Sequence, residues 1–214
     1  MAILSEKKGN REVLNDVHQR LLDVAEKFFC EKGFDETGVR ELTREAGCNI
    51  AAVNYHFGGK NKLYAAMFRR HMEKLFDRQR KNVEEIMQSK EPTLEKLLRK
   101  TIKTAMEPLT GGDGQIPLLK LMVRETLNPH LREEVVAYDI VRDFLILFRD
   151  SLMKLFPGLG PEKAMMCVFS LEGAILHPLL FFKFYKEHHP DLEIDDLIEH
   201  IIEFAAAGIR KAVK

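Results

Sequence analysis

The chain has 214 residues, of which 45% are apolar and 31% charged, and its 33 basic side chains balance its 33 acidic ones. This composition is typical of a folded globular protein and excludes both a disordered chain and a uniformly basic nucleic-acid coat. Three cysteines without a C-x-x-C spacing argue against a disulfide framework and a cysteine-rich zinc site, and they fit a reducing compartment.

The first sixty residues show helical periodicity that glycine interrupts. Apolar side chains recur at steps of three and four over 17–29, which predicts a helix that a glycine ends. Thr37 is suited to cap a second helix, and Gly47 then supplies a turn. Asn49 is suited to cap a third, short helix over 50–56.

Beyond this point the apolar spacing stays helical, and no stretch alternates long enough to predict a strand. Further helices are predicted over 60–88, 94–106, 117–127, 130–156, 161–187 and 193–213. The fold class is therefore all-α with about nine helices. An N-terminal three-helix helix-turn-helix domain over 12–71 precedes a larger helical domain over 72–214.

Apolar stretches in the chain are short. The longest uncharged one in the second half, 173–182, falls well below the roughly 20 residues that span a bilayer. The N-terminal segment has no apolar core of a secretory signal. We therefore expect a soluble, cytoplasmic protein without a membrane partner.

The window 37–62 meets the requirements of a helix-turn-helix. Such a motif needs two short helices that cross steeply, a tight turn and small residues at the contact, which Ala46 and Gly47 provide. The second helix must expose uncharged side chains of graded size to the base edges of DNA. The candidates are Ala51, Ala52, Asn54 and Tyr55.

The charge distribution around this window favours DNA. There is no aspartate or glutamate over 46–71, while Lys60, Lys62 and two arginines are present. A local positive excess in a chain of zero formal charge is what phosphate binding requires. Lys60 and the hydroxyl of Thr37 lie at predicted helix starts, where backbone N–H groups also favour an anion.

Other interpretations of the same residues remain open. Short helices joined through glycine are common in all-α folds. Tyr55 and Phe57 also suit a protein core, and His56 also suits a structural hydrogen bond.

The same window resembles the TetR family of bacterial transcriptional repressors. The likeness covers about 19–68 and rests on Gly33-Phe34, Thr37, the run VRELTREAG, and VNYHFGGK followed by Leu63-Tyr64. Within the family, AAVNYHFGGK is most similar to the CecR-type branch. The stretch 50–52 departs from the lysine-glycine-threonine of many relatives and offers fewer polar groups for direct base contacts.

This resemblance implies a role for each matching residue. Phosphate contacts are implied for Thr37, Tyr55, His56 and Lys60. Positions facing the major groove are implied for Asn49, Ala51, Ala52 and Asn54. Asn54 could pair with an adenine edge, and an alanine methyl could contact a thymine methyl.

A homodimer is expected because one helix-turn-helix reads only a few base pairs. The last two helices, within 161–213, offer the apolar surface, and the resemblance implies a four-helix bundle between subunits. One stripe in the last helix consists of Ile194, Leu197, Ile198, Ile201, Ile202, Ala205 and Ile209. The segment 165–184 is apolar on nearly all sides, and Pro178 should kink or split its helix. A purely internal core helix is the alternative.

Methionine and phenylalanine side chains at helical spacing usually indicate ordinary core. The resemblance instead implies a mostly apolar pocket for a small-molecule inducer, with the long helix over 60–88 transmitting ligand binding to the DNA-binding domain. The candidate lining residues are Met72, Phe76, Met106, Met122, Glu125, Phe144, Phe148 and Phe169. Arg124, Glu125 or Glu172 could orient the ligand.

No convergent set of polar groups indicates an enzyme, a metal site or a cofactor. The adjacent His188 and His189 point in different directions on a helix, and GGDG at 111–114 lacks the lysine of a phosphate loop. Cys48 would sense oxidation only if its pKa were lowered, and a small buried apolar role is the alternative. The predicted function is a homodimeric repressor that an inducer releases from a palindromic operator. The alternative is a helical protein-interaction module, or a regulator controlled by partner proteins.

Overall fold

A computed structural model of the chain describes residues 2–110, 123 and 136–213, and the side chains of 16–107, 109, 123 and 139–213. The described residues form eight helices and no strand, which confirms the all-α prediction. These helices are α1 Ala2–Lys32, α2 Val39–Glu45, α3 Ala51–Phe57, α4 Lys60–Gln88, α5 Leu94–Thr110, α6 Val136–Leu155, α7 Pro161–His188 and α8 Ile194–Ala212. The helix predicted over 117–127 lies outside the described residues.

Most predicted helix bounds agree with the structure to within one residue. α1 is longer than the predicted periodic stretch, because it begins at Ala2. The predicted split of α7 at Pro178 is wrong, because the helix continues through this residue. A proline removes only one helical hydrogen bond, and Pro178 itself is buried.

The described residues fall into two compact units that divide between His71 and Met72. In the first unit, α1, α2 and α3 pack against one another. Its core consists mainly of Leu21, Leu22, Phe29, Leu42, Val53, Leu63, Tyr64 and Met67. Tyr64 contacts the rings of Phe29 and Phe34, with centroids 4.9 and 5.1 Å apart.

In the second unit, α5 packs against α7 and α8, and α7 also packs against α8. The isoleucines of α8 that the sequence suggested for a dimer surface face this core instead: Ile198, Ile201, Ile202 and Ile209. The helical spacing of these isoleucines places them on one face of α8. Only the packing of α5 against α8 decides that this face is internal. Arg99 pairs with Glu199, and Arg210 with Glu95, between the same two helices.

Helix α7 is apolar on two sides and buried on one. Its inward residues are Ala164, Val168, Leu171 and Pro178. Its exposed apolar residues are Met166, Phe169, Leu176, Leu180, Phe181 and Phe184. The mean hydropathy of its most apolar 18 residues is 1.7, so by length and composition α7 could cross a membrane, which the uncharged stretch alone did not predict. The described residues bury only 17% of that window, which leaves an exposed apolar surface of the kind found at interaction sites.

Candidate nucleic-acid interface

Two glycine-dependent turns shape the helix-turn-helix. Gly47 has a φ of 62° and Gly58 a φ of 75°, both in the left-handed region that favours glycine. The N–H of Cys48 donates to the carbonyl of Thr43 at 2.9 Å, which reverses the chain between α2 and α3. Gly58 ends α3 by donating to the carbonyl of Asn54 at 2.9 Å.

Helix α3 has one buried and one exposed face. Val53 and Phe57 are buried, so the interpretation of Phe57 as a core residue is confirmed. Tyr55 is 73% exposed, which excludes a core role for this side chain within the described residues. Ala51 and Asn54 are also exposed. Small and polar side chains on a short exposed helix after a tight turn form a surface suited to the major groove.

Asn49 lies just before α3, and Ile50, not Asn49, is the N-cap residue of this helix. The Oδ1 of Asn49 accepts a hydrogen bond from the N–H of Ala51 at 2.9 Å, which closes the turn that leads into the helix. The amide N–H groups of Asn49 remain available for a base edge.

Thr37 lies in the core rather than on the surface. It is 1% exposed, and its hydroxyl donates to the carbonyls of Gly33 at 2.7 Å and Phe28 at 3.3 Å. The predicted contact between the Thr37 hydroxyl and a phosphate is therefore wrong. The predicted cap is wrong as well, because Gly38 and not Thr37 is the N-cap of α2. The hydroxyl locks the α1–α2 loop because a buried donor needs an acceptor.

The basic residues of this segment are not equally available for phosphates. Arg70 donates to Asp23 at 2.8 Å and Glu26 at 2.6 Å, so it ties α4 to α1. Lys60 lies over the ring of Phe34, with its Nζ 4.2 Å from the ring centre. Burial lowers the pKa of Lys60, an effect that the nearby Asp35 opposes.

The sequence patterns did not single out His18, which contacts α3. Its ring stacks on Phe57 at 4.5 Å and meets His56 edge-on at 6.0 Å, so α1 supports the end of α3. Burial, with smaller effects from His56 and Arg70, lowers the pKa of His18. Its helical spacing from Leu21 and Leu22 was the available signal, since it lies one turn before them on the inward side of α1.

Some of the predicted pocket residues lie in the core, one lies on the surface, and two lie outside the residues that the structure describes. Met72, Met106, Phe144 and Phe148 are buried, and Phe76 packs against Phe144 at 5.3 Å. Phe169 is 57% exposed on α7, so its assignment to an internal pocket is wrong. Met122, Arg124 and Glu125 lie outside the described residues.

An open groove of about 500 Å³ lies instead along α7 and α8. Its lining residues include His177, Pro178, Tyr185, His200, Ile201 and Phe204. Tyr185 and His177 are hydrogen-bonded to each other through the phenol oxygen and Nδ1. Phe204, which is 70% exposed, continues the apolar surface of α7 onto α8.

The cysteines offer no reactive thiolate. Burial raises the pKa of Cys48 and of Cys167, and burial with Glu26 and Glu31 raises the pKa of Cys30 to about 11. A thiol must ionise to act as a nucleophile or redox sensor, so the packing role of Cys48 is favoured. Within the described part of the chain, no three histidine, cysteine or carboxylate side chains are grouped to hold a metal.

The fold and the exposed face of α3 define a helix-turn-helix DNA-binding protein. Residues 21–67 match the family described as bacterial regulatory proteins, tetR family. This segment, which contains α2 and α3, is therefore similar to the matching segment of TetR-family transcriptional regulators.

Two curated relatives are named as regulators of transcription. The chain is 23% identical over 209 residues to the HTH-type transcriptional activator FasR of Mycolicibacterium smegmatis, covering 95% of this chain and 87% of FasR. It is 29% identical over 134 residues to the HTH-type transcriptional dual regulator CecR of Shigella flexneri, covering 60% of this chain and 57% of CecR. The transcriptional regulator FadR from Bacillus subtilis, solved in complex with stearoyl-CoA, shares the fold with a TM-score of 0.67 and 17% identity, covering 89% of this chain and 98% of FadR.

Proposed function

We propose that the chain is a cytoplasmic homodimeric repressor whose two α3 helices read a palindromic operator and which a small, largely apolar inducer releases. The exposed face of α3 is the observation that carries this proposal. Ala51, Asn54 and Tyr55 extend into solvent after the Gly47 turn, in a segment without acidic residues. Asn54 would read an adenine, while Tyr55, His56 and Lys60 would contact phosphates.

The exposed surface of α7 supports a second copy of the chain as the dimer partner. Between Met166 and Phe184, a distance of about 27 Å along the helix, Lys183 is the one exposed lysine, arginine or carboxylate residue, and the large exposed side chains are apolar. A two-fold axis places the same patch on both partners, so a predominantly apolar face is self-complementary. Phe204 and the groove beside it extend this surface onto α8.

The inducer would bind in the second unit. Met72 is buried, and Phe76, Met106, Phe144 and Phe148 belong to the apolar core of this unit, whose flexible and aromatic side chains suit a hydrophobic ligand. The stearoyl-CoA complex of FadR supports a ligand with a long apolar part. Helix α4 has residues in both units, so a change that the ligand stabilises at Met72 could tilt the helix that carries Lys60.

DNA titrations of two variants test the assignment of α3. The operator is first selected from random duplexes. Asn54→Ala should weaken operator binding roughly 5- to 150-fold and leave non-specific DNA unchanged, because a base-edge pair contributes about 1–3 kcal/mol. Lys60→Ala should weaken all sequences together and reduce the slope of log K against log salt by about one per subunit.

Lys81→Ala is the matched control, since Lys81 is an exposed lysine of α4 in the other unit. It should bind the operator like the wild type. Equal losses for Asn54→Ala and Lys60→Ala on every duplex would contradict the assignment. If the wild type bound no duplex at low salt, the protein-interaction alternative would replace it.

A further inference from the structure

Four polar side chains are buried together between α4 and α5. Gln79, Asn82, Thr101 and Thr104 are 4%, 8%, 4% and 6% exposed. Asn82 donates through Nδ2 to the hydroxyl of Thr104 at 2.9 Å, and Gln79 donates through Nε2 to the carbonyl of Thr101 at 3.1 Å. Among the described residues, neither Asn82 nor Thr104 keeps a buried side-chain atom without a partner, whereas Gln79 uses only its Nε2.

Gln79 Oε1 and Thr101 Oγ1 are fully shielded and have no hydrogen-bond partner among the described residues. Two other buried helical hydroxyls, those of Thr43 and Ser151, donate to the carbonyl four residues earlier at 3.0 and 2.8 Å. Thr101 does not use this solution. Each unsatisfied buried polar atom costs about 1–3 kcal/mol, so two at one place need a compensating partner.

The described neighbours of Gln79 and Thr101 along the inward faces of their own helices are apolar. Phe76 and Val83 precede and follow Gln79 on the inward face of α4, and Leu98 and Ile102 flank Thr101 on α5. Among the described side chains, none that is fully buried carries a charge. Rotating the Gln79 amide would turn its oxygen towards the carbonyl of Thr101, so Oε1 is the atom left free.

We propose that Gln79 Oε1 and Thr101 Oγ1 bind the polar head of the ligand, and that this head is an uncharged hydrogen-bond donor, such as a hydroxyl or amide, on an apolar body. The proposal rests on the ligand-responsive second unit of the proposed function. A glutamine oxygen only accepts hydrogen bonds, so the ligand must donate. An ionised carboxylate has no donor, and burying it here without a cation would be costly.

The unliganded protein gives the first test. Thr101→Val should raise the melting temperature by about 2–4 °C, because it removes an unsatisfied hydroxyl without changing the shape of the side chain. Thr104→Val, the matched control on the same helix, should lower it by a similar amount, since it leaves the Asn82 amide without its acceptor. If Thr101→Val were as destabilising as Thr104→Val, the hydroxyl would have a structural partner and the proposal would be overturned.

Calorimetric titration with three probes of one chain length gives the second test. At pH 8, wild type should bind 1-decanol more tightly than decanoate or decylammonium. Thr101→Val and Gln79→Met should each weaken decanol binding about 3- to 10-fold, whereas Thr104→Val should keep the wild-type order of the probes. Preference for decanoate or decylammonium, or no binding of any probe, would overturn the proposal.

These titrations contain no DNA, so they separate this proposal from the proposed function. A protein that binds decanol through Gln79 and Thr101 but holds its operator equally well with decanol bound would contradict the inducer role alone. A protein that decanol leaves unbound while DNA binding persists would contradict the head-group assignment alone.

Discussion

At the scale of single residues, burial and hydrogen bonding shift the pKa values of two glutamates of the second unit in opposite directions. Burial raises the pKa of Glu172. The side-chain hydrogen bond from Arg99 lowers the pKa of Glu199, against a smaller opposing effect of desolvation. A raised carboxyl pKa means that the folded state keeps its proton to higher pH, so stability falls as pH rises through that window. A lowered carboxyl pKa means that the ionised group stabilises the folded state at higher pH, and this stability is lost on acidification.

Glu172→Gln should therefore raise the melting temperature at pH 8 and lose this advantage as the pH falls below the ordinary glutamate value of 4.5. Glu199→Gln should slightly lower the melting temperature at pH 8, because it removes the partner of Arg99. Thermal melts of both variants between pH 4 and 8 check the two signs. An advantage of Glu172→Gln that grew on acidification would contradict the desolvation argument.

At the scale of elements, the helix-turn-helix depends on backbone conformation more than on space. Gly47 has a φ of 62°, yet an added Cβ would meet no atom within 4 Å. Gly38 would also meet none, but its φ is −89°. The two glycines thus differ in backbone angle and not in crowding.

Gly47→Ala should lower the free energy of unfolding by about 1–2 kcal/mol, since alanine is strained in the left-handed region. Gly38→Ala, the control, should be neutral or stabilise by up to about 1 kcal/mol, because it only restricts the unfolded chain. Urea unfolding of both variants measures the difference. Equal effects would mean that the Gly47 turn relaxes into an ordinary conformation.

At the scale of the whole molecule, the main feature to explain is the apolar surface of α7 and Phe204, which the described residues leave exposed. A patch of this kind needs a protein or lipid surface to cover it. The inward residues of α7, such as Val168 and Leu171, already pack in the core of the second unit. The proposed second subunit would cover the outer side without removing the helix from that core, whereas insertion into a bilayer would separate it from α5 and α8.

Phe204→Glu should convert the dimer to a monomer and abolish tight operator binding, because a buried carboxylate in each subunit opposes association. Lys154→Glu introduces the same side chain at an exposed site of α6 and should remain dimeric. Light scattering after size-exclusion chromatography without detergent distinguishes the two. A wild type that ran as a monomer, or required detergent, would contradict the dimer.

The sequence by itself determined the helices and the helix-turn-helix, because apolar periodicity and left-handed glycines act within a few residues. It therefore predicted the exposed position of Asn54 and the turn at Gly47. Only the tertiary structure decided that the Thr37 hydroxyl points inward and that the α8 isoleucines face α5. The same is true of the ion pairs of Arg70. These outcomes depend on contacts between residues distant along the chain, and a periodic pattern defines a helix face without specifying which neighbour covers it.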